Sequence, residues 1–266
     1  MGNETDGSRL AEIWRLRHFW LALAQQDIKD RYRRSVVGIA WSLIKPAVTT
    51  LIIAGVFTSV FDVAWDTFAP FLFFGLITWQ FLTESILQGC NAFRQANTFI
   101  RVRPIPLAIF PLRVVLSAGI HWLIGLSAAI ATILAFHGTA NPMALFMLFS
   151  ALILLGITAW SLACICATLC VRYSDTQQVA EISLQVLFYA TPVIYLPESL
   201  QQAGWLHVVV SCNPFTAFLE MVRRPILQGE CPSVSAMTIA LAFTAVVASL
   251  AWTLLNRVEK RLPLWL

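Results

Sequence analysis

The sequence predicts an all-α integral membrane protein with six transmembrane helices, an amphipathic helix at the amino terminus and two short helices at the outer face. Three observations predict this. First, 58% of the 266 residues are hydrophobic and 12% are charged, about half the charged share of a soluble domain. Second, the apolar residues come in blocks nearly free of Lys, Arg, Asp and Glu. Each block reaches the roughly 20 residues a helix needs to cross about 30 Å of hydrocarbon. Third, Lys and Arg gather in alternate connections. Backbone groups in lipid must bond internally, so each block is a helix or a strand of a closed barrel. The runs do not alternate as barrel strands do.

Taken in order, residues 1–35 form a segment expected to lie in the cytoplasm. No cleavable leader is expected, because Arg, Asp and Glu stud this region and no short apolar core precedes a small-residue site. Asp6 stands where a myristoylation signal needs Ser or Thr. Residues 10–27 place Ile13, Leu16, Trp20 and Leu23 on one helical face, with Glu12, Arg15, Gln25 and Gln26 away from it. Trp14, Phe19 and Trp20 suit the headgroup level, so this helix is expected to lie on the membrane. The alternative is the first helix of a small soluble domain. It fits less well, because a long apolar run begins straight after Ser35.

A basic cluster, Lys29-Asp30-Arg31-Tyr32-Arg33-Arg34, comes next. Spans are expected at 38–60, 69–91, 109–135, 143–170, 177–195 and 234–255, forming one membrane domain over 36–256 with a tail at 257–266. Arg94, Arg101, Arg103, Arg113 and Arg172 lie in or beside the inner connections, whereas loops 61–68 and 136–142 hold no Lys or Arg. The positive-inside rule then puts both termini in the cytoplasm. Arg223 and Arg224 fall in a long outer segment, where the rule is weak.

Several chemistries lack their motifs. No Gly-x4-Gly-Lys-Ser/Thr loop occurs, so the chain itself is not expected to bind ATP. No Gly-x-Ser-x-Gly or His-Glu-x-x-His occurs either. His18, His121, His137 and His207 are scattered. Cys164, Cys166 and Cys170 read as small, buried span residues rather than metal ligands. Neither a cofactor on this chain nor a nucleic-acid partner is expected. Cys212 and Cys231 share the outer segment and are a candidate disulfide.

Lys45, followed by Pro46, is an intramembrane charge. It either meets an anionic substrate at the inner mouth or snorkels to the headgroups. Glu84 and Glu181 are expected to face the bundle or an aqueous path. Asp175 or Ser174 is expected to cap the fifth span. Within 91–106, Phe93, Ala96, Phe99 and Ile100 would share the face of a short helix. That helix either docks into a partner's groove or is a solvated loop held by Arg101 and Arg103. Segment 196–233, broken by Pro197, Gly204, Pro214 and Pro225, fits short helices at about 198–210 and 214–227, either re-entrant or interfacial. Phe57, Phe61, Trp65, Phe68 and Phe71, with Tyr189 and Tyr195, form either an interfacial belt or stacking surfaces for sugar rings.

Five stretches carry a resemblance: Arg31-Tyr-Arg-Arg-Ser-Val-Val-Gly-Ile-Ala-Trp-Ser-Leu-Ile-Lys-Pro46, Phe74-Gly-Leu-Ile-Thr-Trp79, Val171-Arg-Tyr-Ser-Asp-Thr-Gln177, Thr191-Pro-Val-Ile-Tyr195 and Asn213-Pro-Phe-Thr-Ala-Phe-Leu-Glu-Met-Val-Arg223. In order and spacing they resemble the permease subunit of ABC-2-type exporters of polysaccharides and polyol phosphates, the O-antigen, capsule and teichoic acid family. The Arg172-Tyr-Ser-Asp175 stretch is looser than the Arg-Asp of that family.

The resemblance implies a homodimer in the bacterial inner membrane, paired with two copies of an ATP-binding subunit that carries ATP and Mg. The substrate would be a lipid-linked glycan. Phe93, Arg94, Gln95, Phe99, Arg101, Arg103 and Pro104 would form the coupling loop, with the amphipathic helix as an interface helix beside it. Trp41, Lys45, Phe57, Phe61, Tyr189 and Tyr195 would line the channel. Trp205, Phe215 and Phe218 would belong to two re-entrant gate helices at its exit. Two rivals stand beside this reading: a drug or lipid exporter of the same superfamily, and a membrane-embedded glycosyl- or phosphotransferase. The transferase would need clustered carboxylates at one membrane face.

Overall fold

The structure is a computed structural model. It describes every residue except 1–5, 62, 103–104, 138–140, 198–203 and 259–266, and leaves aside the side chains of 6–10, 61, 101–102, 132–137 and 205–207. The described residues contain helices and no strand. In chain order these are α1 (Asp6–Arg15), α2 (Arg17–Tyr32), α3 (Trp41–Phe61), α4 (Trp65–Cys90), α5 (Ala92–Gln95), α6 (Asn97–Val102), α7 (Ile109–His137), α8 (Pro142–Arg172), α9 (Thr176–Ala190), α10 (Trp205–Cys212), α11 (Pro214–Leu227) and α12 (Val234–Val258).

Among the described residues, five stretches are long and apolar enough to cross a membrane: Gly38–Val60, Trp65–Cys90, Ile109–Ala131, Pro142–Arg172 and Val234–Val258. They coincide with five of the six expected spans. The other, expected over 177–195, is α9, and it stops at Ala190 after 15 residues. That length rises about 22 Å, short of the hydrocarbon core. The physical reason is Pro192, which holds the residue before it out of the helical region; Thr191 is extended, with φ −110° and ψ 138°. Asp175 takes the N-cap position of α9, but its carboxylate accepts from the Ser174 hydroxyl at 3.2 Å rather than from a backbone N–H.

The amphipathic helix expected over 10–27 is two helices, parted at Leu16. The Trp20 indole N–H donates to the Ile13 carbonyl at 3.0 Å, serving an acceptor at the break. In the outer segment, α10 and α11 are the described counterparts of the helices expected at 198–210 and 214–227; residues 198–203 lie outside the description. Asn213 starts α11 by accepting from the Phe215 N–H at 3.0 Å, with Pro214 in the first turn.

Small residues let the central helices approach closely. Ala159 and Ala163 of α8 and Ala236 and Ala240 of α12 are buried in one cluster with Phe74, Phe81, Leu155 and Phe218. A Cβ on Gly89 of α4 would sit 2.8 Å from the Ala163 Cβ. Thr158 of α8 and Thr244 of α12 join their hydroxyls at 2.8 Å.

A second cluster gathers Ile13 of α1, Phe93 of α5, Ile109 of α7, Ala167 of α8 and Leu255 of α12. The amino-terminal helices and the end of α12 therefore lie at one end of the bundle, the end that carries the basic connections. Phe57, Phe68, Phe71 and Leu72 pack at the other. Helices α3 and α9 leave apolar faces unpacked: Val48, Leu51, Ile52 and Val56 on one, Val179, Ile182 and Val186 on the other.

Candidate functional site

At the basic end a cavity of about 440 Å³ opens between the end of α2 and helices α3, α4 and α7. The chain is turned into α3 by Gly38, whose φ of +59° favours glycine. One turn into α3 stands Lys45, beside Trp41 and Ser42 on the cavity wall. Opposite, α4 supplies Gln80, Phe81 and Glu84, and α7 supplies His121 and Trp122.

The polar groups form a partial network. Arg31 Nη1 donates to Glu84 Oε2 at 3.1 Å, and Gln80 Nε2 donates to Glu84 Oε1 at 3.1 Å. Ser42 Oγ lies 2.9 Å from His121 Nδ1, and the Tyr32 hydroxyl lies 3.4 Å from the same nitrogen. Phe81 and Trp122 stack at 4.8 Å between ring centres and form an aromatic wall. Lys45 is exposed into this space, and among the described residues no carboxylate pairs with its ammonium. Glu84 faces the cavity, the aqueous-path option expected for it. Glu181 accepts from Gln177 at 3.2 Å on an exposed part of α9.

Of the six candidate channel residues, Trp41 and Lys45 share this cavity. Phe57 instead stacks on Phe68 at 5.4 Å at the opposite end. Tyr189 is exposed at the end of α9, and the Tyr195 hydroxyl donates to its carbonyl at 3.1 Å. The Phe61 side chain lies outside the description.

Beneath the same end lies the connection between α4 and α7. It is broken at Ala96 into α5 and α6, so Phe93 and Phe99 do not share one face: Phe93 is fully buried, while Phe99 is exposed and meets Phe19 edge-on at 5.8 Å. Arg94 Nη2 donates to the Cys170 carbonyl at 3.2 Å, and Gln95 accepts from Arg113 Nη2 at 3.1 Å. Arg101 belongs to α6 but its side chain is not described, and Arg103 and Pro104 lie outside the described residues. Arg113 ties three elements together, because its Nε also lies 3.6 Å from Asp27 Oδ2 on α2. Burial raises the Asp27 carboxyl above the usual carboxylate range, and the opposing pull of Arg113 is the smaller effect. Sequence reasoning counted Arg113 only as an inner charge. Its position inside an apolar run was the signal that it must find partners.

The opposite end holds a dry clamp that sequence reasoning missed. Arg223 of α11 is buried, and donates to the Pro192 carbonyl at 2.6 Å and the Val193 carbonyl at 2.8 Å. Its guanidinium lies 3.6 Å from the centre of the Phe71 ring. Asn213 Nδ2 donates to the Thr191 hydroxyl at 2.8 Å and the Ala190 carbonyl at 3.2 Å. Carbonyls of the irregular backbone after α9 thus find donors in the Asn213 cap and in Arg223 of α11, as buried carbonyls require. Gly75 makes room for the clamp: a Cβ there would lie 1.9 Å from Arg223 Nη2 and 2.9 Å from the Val193 carbonyl.

Phe215 and Phe218 belong to this packing rather than to a surface. Both are buried; Phe215 meets Trp79 at 5.8 Å, and both meet Phe243, at 5.6 Å and 6.5 Å. Trp205 opens α10, with its side chain undescribed. Cys212 and Cys231 are both exposed and unbonded in the structure.

Comparison with known proteins matches residues 18–227 to the family model described as "ABC-2 type transporter", a stretch that holds both the cavity and the clamp. The O-antigen export system permease protein RfbA of Myxococcus xanthus is 24% identical over 251 residues, covering 94% of this chain and 95% of that protein. A protein of the same name from Klebsiella pneumoniae is 24% identical over 212 residues, covering 79% and 80%. The chain belongs to the ABC-2 type transporter family, as a multi-pass membrane permease rather than an enzyme, and membership implies a separate ABC ATP-binding subunit as its partner.

Proposed function

We propose that this permease exports a lipid-linked polysaccharide from the cytoplasm across the bacterial inner membrane. The observation that carries the reading is its similarity, over nearly its whole length, to permeases named for O-antigen export. The inner cavity supports it: Lys45, without a carboxylate partner among the described residues, and aromatic walls suit an anionic carrier joined to sugar. Two identical subunits would enclose the path, with the unpacked faces of α3 and α9 available for pairing. ATP and Mg would be held by the two partner subunits.

Both termini are assigned to the cytoplasm from the basic residues around them. Because α1 and the end of α12 share one end of the bundle, an even number of crossings would be needed between them. Helix α9, extended by the clamped backbone and the α10–α11 hairpin, would complete the sixth crossing, and the hairpin would enter the membrane from outside and gate the exit. Helices α5 and α6 would receive the motion of the ATP-binding subunits. Because Phe93 is buried and Arg94 and Gln95 are tied to α8 and α7, a push on this loop would pass directly into the spans.

The test is transport by inverted vesicles containing the permease and its ATPase. ATP should carry a radiolabelled lipid-linked glycan into a compartment protected from added glycosidase. Accumulation of hydrophobic drugs or phospholipid with no glycan movement would overturn the reading in favour of a drug or lipid exporter. Replacing Arg101 and Arg103 with Glu should weaken co-purification of the ATPase; unchanged association and ATP turnover would remove this loop from coupling.

A further inference from the structure

We propose that the inner cavity is a phosphate-ester subsite in which the ligand competes with Glu84 for Arg31 and is held from the other side by Lys45. This rests on the export reading only for the source of the phosphate. The subsite itself is argued from the side chains.

The cavity holds two cations and one carboxylate, Arg31, Lys45 and Glu84, and so carries a net positive charge when empty. Arg31 and Glu84 are paired at 3.1 Å but keep 28% and 26% of their side chains exposed, so water and ligand reach the pair. A partly wet pair of this kind is weakly held. The same guanidinium gains more from a phosphate, whose oxygens accept its forked donors. Glu84 need not be stranded when Arg31 turns away, because Gln80 still donates to its other oxygen. Lys45 has no carboxylate to give up among the described residues.

The uncharged walls fix which anions fit. The volume of about 440 Å³ lies within the usual range for small-molecule sites, roughly 300–1,000 Å³. Trp41 and the stacked Phe81–Trp122 pair offer apolar faces to whatever the phosphate is attached to. At the back of the cavity His121 Nδ1 lies 2.9 Å from the Ser42 hydroxyl and 3.4 Å from that of Tyr32, apart from the more exposed Arg31–Glu84 pair. A bare inorganic anion would leave the aromatic walls unused; a phosphate ester of a polyprenyl or sugar group would not.

Binding separates this from transport. The purified permease in phosphatidylcholine nanodiscs is titrated with radiolabelled long-chain polyprenyl phosphate, with the matching polyprenol, and with inorganic pyrophosphate. The phosphate lipid should bind, and the polyprenol should not. Lys45→Met should weaken the phosphate lipid roughly tenfold, the loss of one charge-assisted contact. Glu84→Gln should strengthen it, because Arg31 is released without loss of volume. Pyrophosphate binding that is weakened by Lys45→Met would also support the subsite and assign it to the phosphate rather than the chain. Equal binding of polyprenol and polyprenyl phosphate, or affinity unchanged by Lys45→Met and lowered by Glu84→Gln, would overturn the proposal. Loss of glycan transport alongside intact phosphate binding would count against the export reading and leave the subsite standing.

Discussion

Two arginines at opposite ends of this bundle do different work, and the difference lies in their partners. Arg223 is sealed in protein, and its acceptors are two backbone carbonyls that cannot leave. Arg31 is about one quarter exposed to water, and its acceptor is one carboxylate that another donor already holds. The first arrangement is structural, because every alternative leaves carbonyls without a donor in a low-dielectric interior. The second is exchangeable, because water and ligand can substitute on both sides. Charge inside a membrane protein therefore does not by itself mark a site of function; the replaceability of its partner does.

The comparison breaks most readily at Arg223. Replacing it with Met removes two charge-assisted bonds and should cost about 3 kcal/mol or more, read as a lowered unfolding midpoint in nanodiscs. Gly75→Ala should approach the same loss, because its new methyl group would occupy the place of Arg223 Nη2 and press on the Val193 carbonyl. Arg223→Lys keeps the charge but lacks the fork, and should recover only part of it. A midpoint unchanged by both Arg223→Met and Gly75→Ala would mean that the backbone after Ala190 needs no clamp. The Asn213→Ala effect should be smaller, about 1–2 kcal/mol, from a lost helix cap and two bonds to the end of α9.

These side chains also show where sequence reading ends. The long spans were legible because lipid imposes one rule on every residue of a block: the expected 143–170 is Pro142–Arg172. The shortness of α9 was legible in principle, since Thr191-Pro192 is a helix-ending pair. Lys45 and Glu84 announced themselves as charges within apolar runs. The partners did not. Arg31 and Glu84 are 53 residues apart, and Arg223 and Pro192 are 31 apart. Nothing local in either segment tells which carbonyl or carboxylate will receive the guanidinium, because tertiary packing decides it. Arg223 and Arg224 are neighbours in one half-apolar helix, yet the first is buried on carbonyls and the second is part-exposed on Glu220 and Glu230, a difference that the local sequence does not display.

The smallest stability effect is expected at the inner end, and it sharpens the contrast. Glu84→Gln breaks the Arg31 ion pair yet keeps the side-chain volume and an acceptor oxygen. With both groups about one quarter exposed, the cost should stay below about 1 kcal/mol, and the unfolding midpoint should scarcely move. Arg31→Met should be similarly mild, since Gln80 continues to satisfy Glu84. A fall as large as that of Arg223→Met would show that the Arg31–Glu84 pair is a second clamp, closing α2 onto α4, and not an exchangeable contact. A negligible fall in Glu84→Gln, with Arg223→Met strongly destabilised in the same nanodiscs, would place the two guanidiniums on opposite sides of the distinction: one fixed by backbone, the other free to change its partner.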